Sequence, residues 1–272
     1  MIHQFETLPT DSPAPMLIFW VVGFLFCYIL LDFKLITKKR GILFYLFTII
    51  FAGFLLGGIP NVVLPYEFSL SVIGTNDELG KILAPIMIFF IAAGSSLVVG
   101  RIFCGFICPL GALQELLSKF NFSSDNKLLK KNKFHINFSP KYSTEFRWLV
   151  FFGLLSMSFF GILILPLINP FSGFTFRFIL PTICVFIISL TSILVYRPWC
   201  RFFCPFSPVS AMCGKYATIK YRRTDDCTEC GLCEEVCPTQ EAYRDSKKGE
   251  CYYCNRCIEI CPHDAINFDI LI

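Results

Sequence analysis

Two stretches in the last quarter of the chain carry the residues best suited to chemistry, CTECGLCEEVCP at 227–238 and CYYCNRCIEICP at 251–262. Each reads C-x2-C-x2-C-x3-C-P. Thiolates are soft ligands that suit iron–sulfur clusters, and in paired runs of this spacing three cysteines of one run are joined by the fourth cysteine of the other. The expected ligands are Cys227, Cys230, Cys233 and Cys261 for a [4Fe–4S] cluster at site A, and Cys251, Cys254, Cys257 and Cys237 for a second at site B. Pro238 and Pro262 hold the backbone at Cys237 and Cys261 extended. Zinc ribbons and disulfides are the competing uses of such cysteines, but ribbons use pairs of C-x2-C rather than two complete four-cysteine runs.

A second constellation is a repeat. RIFCGFICP at 101–109 and RPWCRFFCP at 197–205 share Arg-x2-Cys-x3-Cys-Pro. Residues four apart share a helix face, so Cys104 with Cys108 and Cys200 with Cys204 can each present two sulfurs together. Pro109 suits the first turn of a new helix, and PLGALQELLSKF at 109–120 has the amphipathic spacing to be one. Its dipole and the nearby Arg101, Arg197 and Arg201 would favour a thiolate at Cys108. Three readings are open for this foursome: a third iron–sulfur cluster, a redox dithiol pair, or packing at a helix bend.

The surrounding chain is apolar. Of 272 residues, 55% are hydrophobic and 16% charged, and the mean hydropathy is +0.62. That composition predicts an all-α integral membrane bundle, to which the two four-cysteine runs add a C-terminal α+β two-cluster ferredoxin domain. Five apolar runs, at 16–33, 42–59, 82–100, 148–165 and 178–196, are the expected spans. The second to fifth form two parallel two-helix repeats, each ending in C-x3-C-P. The domains expected are a leading N-out helix at 1–40, a first repeat at 41–120, a basic loop at 121–146, a second repeat at 147–216 and the two-cluster domain at 217–272. Alternating the spans puts twelve basic residues on the side of the cysteine runs and two, Lys81 and Arg177, on the other. The positive-inside rule and the reducing environment that free thiols need then agree on a multi-pass inner (cytoplasmic) membrane protein, N-terminus outside and cysteine runs in the cytoplasm. Residues 1–15 lack the basic start of a signal peptide.

RIFCGFICPLGALQ, RPWCRFFCP and the two four-cysteine runs together resemble the NapH/MauN-type membrane-bound ferredoxin family, and are similar to the polyferredoxin region of NosR and to CcoG. The resemblance implies an electron carrier that moves electrons between the quinone pool and a redox partner subunit, a component of a quinol dehydrogenase system rather than a stand-alone enzyme. Its expected partners are membrane lipid, the quinone pool and that partner, with quinone or quinol as substrate, and no nucleic acid. The alternative is a redox-active assembly or regulatory factor that reduces a metal ion or senses redox state. The leading helix departs from the four-span pattern of the family.

No catalytic acid or base is expected. The three histidines, His3, His135 and His263, lie outside the apolar runs, which argues against intramembrane haem, and no dinucleotide or P-loop motif is present. If quinone protons are exchanged at an interface, the polar candidates are Asp32, Gln114 and Glu115 on one side and Glu67, Asp77 and Glu78 on the other, all readable as ordinary interfacial residues. Cys27 and Cys184 read as apolar fillers, and Cys213 as a packing residue or a reserve ligand.

Overall fold

A computed structural model describes residues 21–23, 25–27, 29, 38–59, 61–63, 65–67, 69–70, 83–120, 138 and 140–270. Most of the first expected span and of the basic loop, with His3, Asp32, Asp77, Glu78, Lys81 and His135, lies outside the described residues. The helices that position the cysteines are α1 (Lys38–Thr48), α2 (Leu83–Val99), α3 (Pro109–Phe120), α4 (Pro140–Phe159), α5 (Ile179–Leu194) and α6 (Phe206–Lys215). A two-stranded sheet follows, β1 (Ile219–Arg223) antiparallel to β2 (Ile266–Ile270), with the short helices α7 (Leu232–Glu235) and α8 (Arg256–Ile260) between the strands.

The expected membrane bundle is corrected. Among the described residues no helix is both long and apolar enough to cross a membrane. Roughly 30 Å of hydrocarbon takes about 20 apolar residues. α2 has 17 residues and α5 has 16. α4 has 20, but they begin PKYSTEFR and include Lys141, Glu145 and Arg147. The run at 42–59 breaks after 11 residues of α1, widens into a π-helix at Ile49–Leu55, and ends where Gly57 and Gly58 take positive φ. Two of the twelve basic residues counted on one side, Arg101 and Arg147, are buried and ion-paired rather than in a loop. The multi-pass location, the N-out orientation and the lipid partner rested on these spans and fall with them, and the quinone-pool partner, which rested on the resemblance, has no described membrane helix to serve it. The outer faces of the helices nonetheless stay apolar, with Leu55, Phe90, Leu149, Phe160 and Ile179 exposed.

The two C-x3-C-P repeats brace each other crosswise. α3, which follows the first motif, packs on α5 of the second repeat and on α1, while α6, which follows the second motif, packs on α2 of the first. Phe89 on α2 meets Phe206 on α6 edge-on at 5.6 Å, and the Ser96 and Ser210 hydroxyls share a 2.9 Å hydrogen bond. In the sheet, Tyr221 pairs with Phe268, and their rings lie 5.5 Å apart over the buried Tyr253.

Candidate iron–sulfur sites

The two four-cysteine runs fold as near copies. In the first, Glu229 and Gly231 have positive φ, and in the second the matching Tyr253 and Asn255 do. Three residues after the fourth cysteine, Gln240 and Asp264 are again left-handed. One further on, the Glu241 N–H donates to Cys237 Sγ (3.2 Å) and the Ala265 N–H to Cys261 Sγ (3.4 Å). Backbone that alternates hands in this way turns successive N–H groups inward and forms an anion-binding nest.

Two cavities lie inside these folds. One of about 330 Å³ is lined by Cys251, Cys254 and Cys257 together with Cys237. A smaller one is lined by Cys227, Cys230 and Cys233 together with Cys261. Among the described residues no three His, Cys, Asp or Glu side chains converge closely enough to hold a single metal ion. Soft thiolates around a nest of N–H donors are a donor set that fits an iron–sulfur cluster.

The C-x3-C-P motifs are likewise alike in detail. Phe103–Ile107 and Trp199–Phe203 are single π-helical turns, closed by Cys108 N–H to the Phe103 carbonyl (3.0 Å) and Cys204 N–H to the Trp199 carbonyl (2.9 Å). Each motif's second cysteine is extended, at φ −67°, ψ 117° for Cys108 and φ −68°, ψ 116° for Cys204, as a residue before proline must be. The expected α-helical pairing of sulfurs four apart is therefore corrected to a π turn. The helix expected over 109–120 is present as α3, and Cys108 accepts the Ala112 N–H at its start.

Cys104, Cys108, Cys200 and Cys204 are all buried, and Cys104 and Cys200 lie near enough to Cys108 and Cys204 to push their thiols further up. Gly111 N–H donates to Cys108 Sγ at 3.5 Å and Gln114 Nε2 to Cys200 Sγ at 3.4 Å. The dipole-stabilised thiolate expected at Cys108 is not found in the metal-free thiol. Burial pushes it well above the usual value, neighbouring cysteines add to this, and the Gly111 N–H offsets only part.

Around this foursome lies a set of buried charges that sequence reasoning placed at an interface or in a loop. Glu115 on α3 accepts from Arg197 Nε (3.0 Å), Arg256 Nη2 (3.0 Å) and the Tyr196 hydroxyl (2.7 Å). Burial pushes its carboxyl up, but Arg256 and Arg197 outweigh that and hold it at about 2. Glu250, just before the second run, accepts from Arg101 Nη1 at 2.6 Å and from Arg147 on α4. Gln114 accepts the Trp199 N–H at 3.0 Å, so neither it nor Glu115 is an interfacial residue. Glu67 is also buried, held by Asn169 Nδ2 at 2.5 Å, and burial raises its carboxyl to about 7. Arg101, Arg147, Arg197, Arg201 and Arg256 are all buried, and the buried carboxylates of Glu115 and Glu250 pair with four of them. The recurring Arg before each C-x3-C-P was the visible signal. Nothing in the sequence ties Glu250 to Arg101.

Comparison with known proteins fits this chemistry. A family described as "4Fe-4S binding domain" matches residues 82–133 and 178–222, which hold all four C-x3-C-P cysteines. A second family of the same description matches 221–240, the first four-cysteine run. The chain therefore carries the capacity to bind iron–sulfur clusters. It is 26% identical to the methylamine utilization ferredoxin-type protein MauN of Paracoccus denitrificans, over 56% of this chain and 53% of that protein. It is 27% identical to the ferredoxin-type protein NapH of Haemophilus influenzae, over 64% of this chain and 58% of that one. It is 27% identical to the regulatory protein NosR of Stutzerimonas stutzeri, over 74% of this chain and 29% of that one. The chain thus spans little more than half the length of the ferredoxin-type relatives. No solved structure matches. The resemblance drawn from the motifs is corrected to a distant similarity of the iron–sulfur part, since the membrane-bound architecture it carried is not matched by any helix described here.

Proposed function

We propose that this chain is an iron–sulfur electron-transfer protein. Two [4Fe–4S] clusters occupy a ferredoxin-type module over 217–272, one held by Cys227, Cys230, Cys233 and Cys261 and the other by Cys251, Cys254, Cys257 and Cys237. A third iron–sulfur centre is held by Cys104, Cys108, Cys200 and Cys204. Such a centre supplies one-electron redox chemistry when bound. The observation that carries the reading is the lining of the two cavities, each with three cysteines of one run and the fourth of the other.

The buried charge favours anionic centres here. Guanidinium groups stay protonated in proteins, and among the described residues five buried arginines lie around the foursome and site B, four of them paired with the carboxylates of Glu115 and Glu250. An uncompensated buried charge costs several kcal/mol, and neutral thiols do nothing to offset it. The anionic cluster at site B supplies part of the counter-charge, and four thiolates around iron at the foursome add to it. The side chains of this chain have clear parts in the work. Arg101 and Arg197 balance negative charge, the Gly111 and Gln114 N–H groups stabilise sulfur, and the packed aromatic shell excludes water. No bond is made or broken in the protein.

Iron and acid-labile sulfide counted on anaerobically reconstituted protein, followed by an EPR-monitored redox titration, test this directly. About twelve irons per chain in three titrating signals are expected for three cubanes. About eight would remove the third centre, and fewer than eight would remove the reading as a whole.

A further inference from the structure

The second four-cysteine run meets the first C-x3-C-P motif backbone to backbone at Gly105. Gly105 follows Cys104, and a Cβ placed on it would collide with the carbonyl oxygen of Tyr252, the residue that follows Cys251. A site-B ligand and a ligand of the C-x3-C-P foursome are thus each one residue away from this van der Waals contact.

The side chain at this point is held by charge. Two guanidinium groups lie over the buried Tyr252 ring, Arg101 at 4.3 Å from its centroid and Arg197 at 4.4 Å. Both arginines are anchored. Arg101 is bonded to Glu250 and Ser207, and Arg197 to Glu115 and, through Nη1 at 2.5 Å and Nη2 at 3.1 Å, to the carbonyls of Cys104 and Gly105. Cation–π contacts strengthen when both partners are desolvated, as here. The Tyr252 hydroxyl has no hydrogen-bond partner among the described residues, so the ring and not the phenol is what the protein grips.

We propose that the Tyr252–Gly105 contact is the electron junction between site B and the C-x3-C-P foursome, kept closed by Arg101 and Arg197 over the Tyr252 ring. The proposal rests on the three-centre reading above. With both centres bound, Tyr252 and Gly105 would hold Cys251 and Cys104 at a fixed gap across which one electron would pass, the donor centre being oxidised and the acceptor reduced. No proton moves and no bond changes. Tyr252 is a positioning residue here, because it fixes the gap and is not itself oxidised.

The test uses the full chain, reconstituted anaerobically, with iron counted first. A flash-generated one-electron reductant then loads the centres, and freeze-quench EPR follows equilibration between them. Wild type should hold about twelve irons and equilibrate fast. Gly105→Ala, which wedges the contact open, and Tyr252→Leu, which removes the gripped ring, should keep the iron count and slow equilibration roughly tenfold or more, while Tyr252→Phe keeps the wild-type rate. Full iron with an unchanged rate in both Gly105→Ala and Tyr252→Leu overturns the junction and leaves the three-centre reading standing. A slowed rate in Tyr252→Phe also overturns it, since the hydroxyl would then be the working group. About eight irons in wild type overturns the three-centre reading itself, and the junction with it. If Gly105→Ala does not fold, the contrast between Leu and Phe at position 252 decides alone.

Discussion

At the scale of single residues, the fourth cysteine of each run is the informative one. Cys237 belongs to the first run in sequence but lines the cavity of the second. Replacing Cys237 by Ser is therefore expected to remove the site-B signal from the EPR spectrum and leave site A intact, with iron lowered by about four per chain. Loss of site A instead would mean that each run holds its own cluster. The C-x2-C-x2-C-x3-C-P spacing is what raised the expectation of this crossing, and the cavity linings accord with it. Glu67, Gln114 and Glu115 were not readable in the same way. Each is an isolated polar residue in an apolar neighbourhood, and only three-dimensional packing decides whether it faces water or Asn169, Cys200 and Arg197.

At the scale of elements, α3 is the plate on which the two halves of the site are mounted. Its start follows Cys108, its Gln114 reaches Cys200, and its Glu115 bridges Arg197 of the second repeat to Arg256 on α8. Glu115→Gln leaves two buried guanidinium groups without their carboxylate and is expected to cost about 3–5 kcal/mol in denaturant unfolding. The sign with pH follows from the depressed carboxyl. Its contribution is full above the unfolded-state value of about 4.3, and is lost as pH falls through about 2. The variant should accordingly show a flatter loss of stability in that acid window than wild type. The sequence made α3 legible through Pro109 and the amphipathic run after it. The π turns were not legible, because C-x3-C suggests an α-helical face until the proline after each second cysteine forces that residue extended and the turn widens to accommodate it.

At the scale of the whole molecule, composition misled where spacing did not. Apolar runs of nearly twenty residues read as membrane spans, yet positive-φ glycines, a π-helical stretch and the polar start of α4 leave no described helix able to cross. Basic residues counted as loop charge turned out to form the interior cage, a placement that a one-dimensional tally of Lys and Arg does not contain. That cage ties stability to metal content. Stripping iron with a chelator under reducing conditions is expected to lower the melting temperature by roughly 10 °C, since several kcal/mol of charge compensation leave with the clusters. An unchanged melting temperature would mean that the arginines are neutralised by something other than the iron sites.

The close approach of Gly105 to the Tyr252 carbonyl also joins the histories of two motifs that lie far apart in the chain. A larger residue at 105 is acceptable only if the 251–254 loop draws back, and drawing back moves two ligands of site B away from the arginines that lie over the Tyr252 ring. Drift in the first motif is thereby felt in the second run. A segment carrying only one of the two cannot be exchanged for that of a distant relative without carrying its counterpart along.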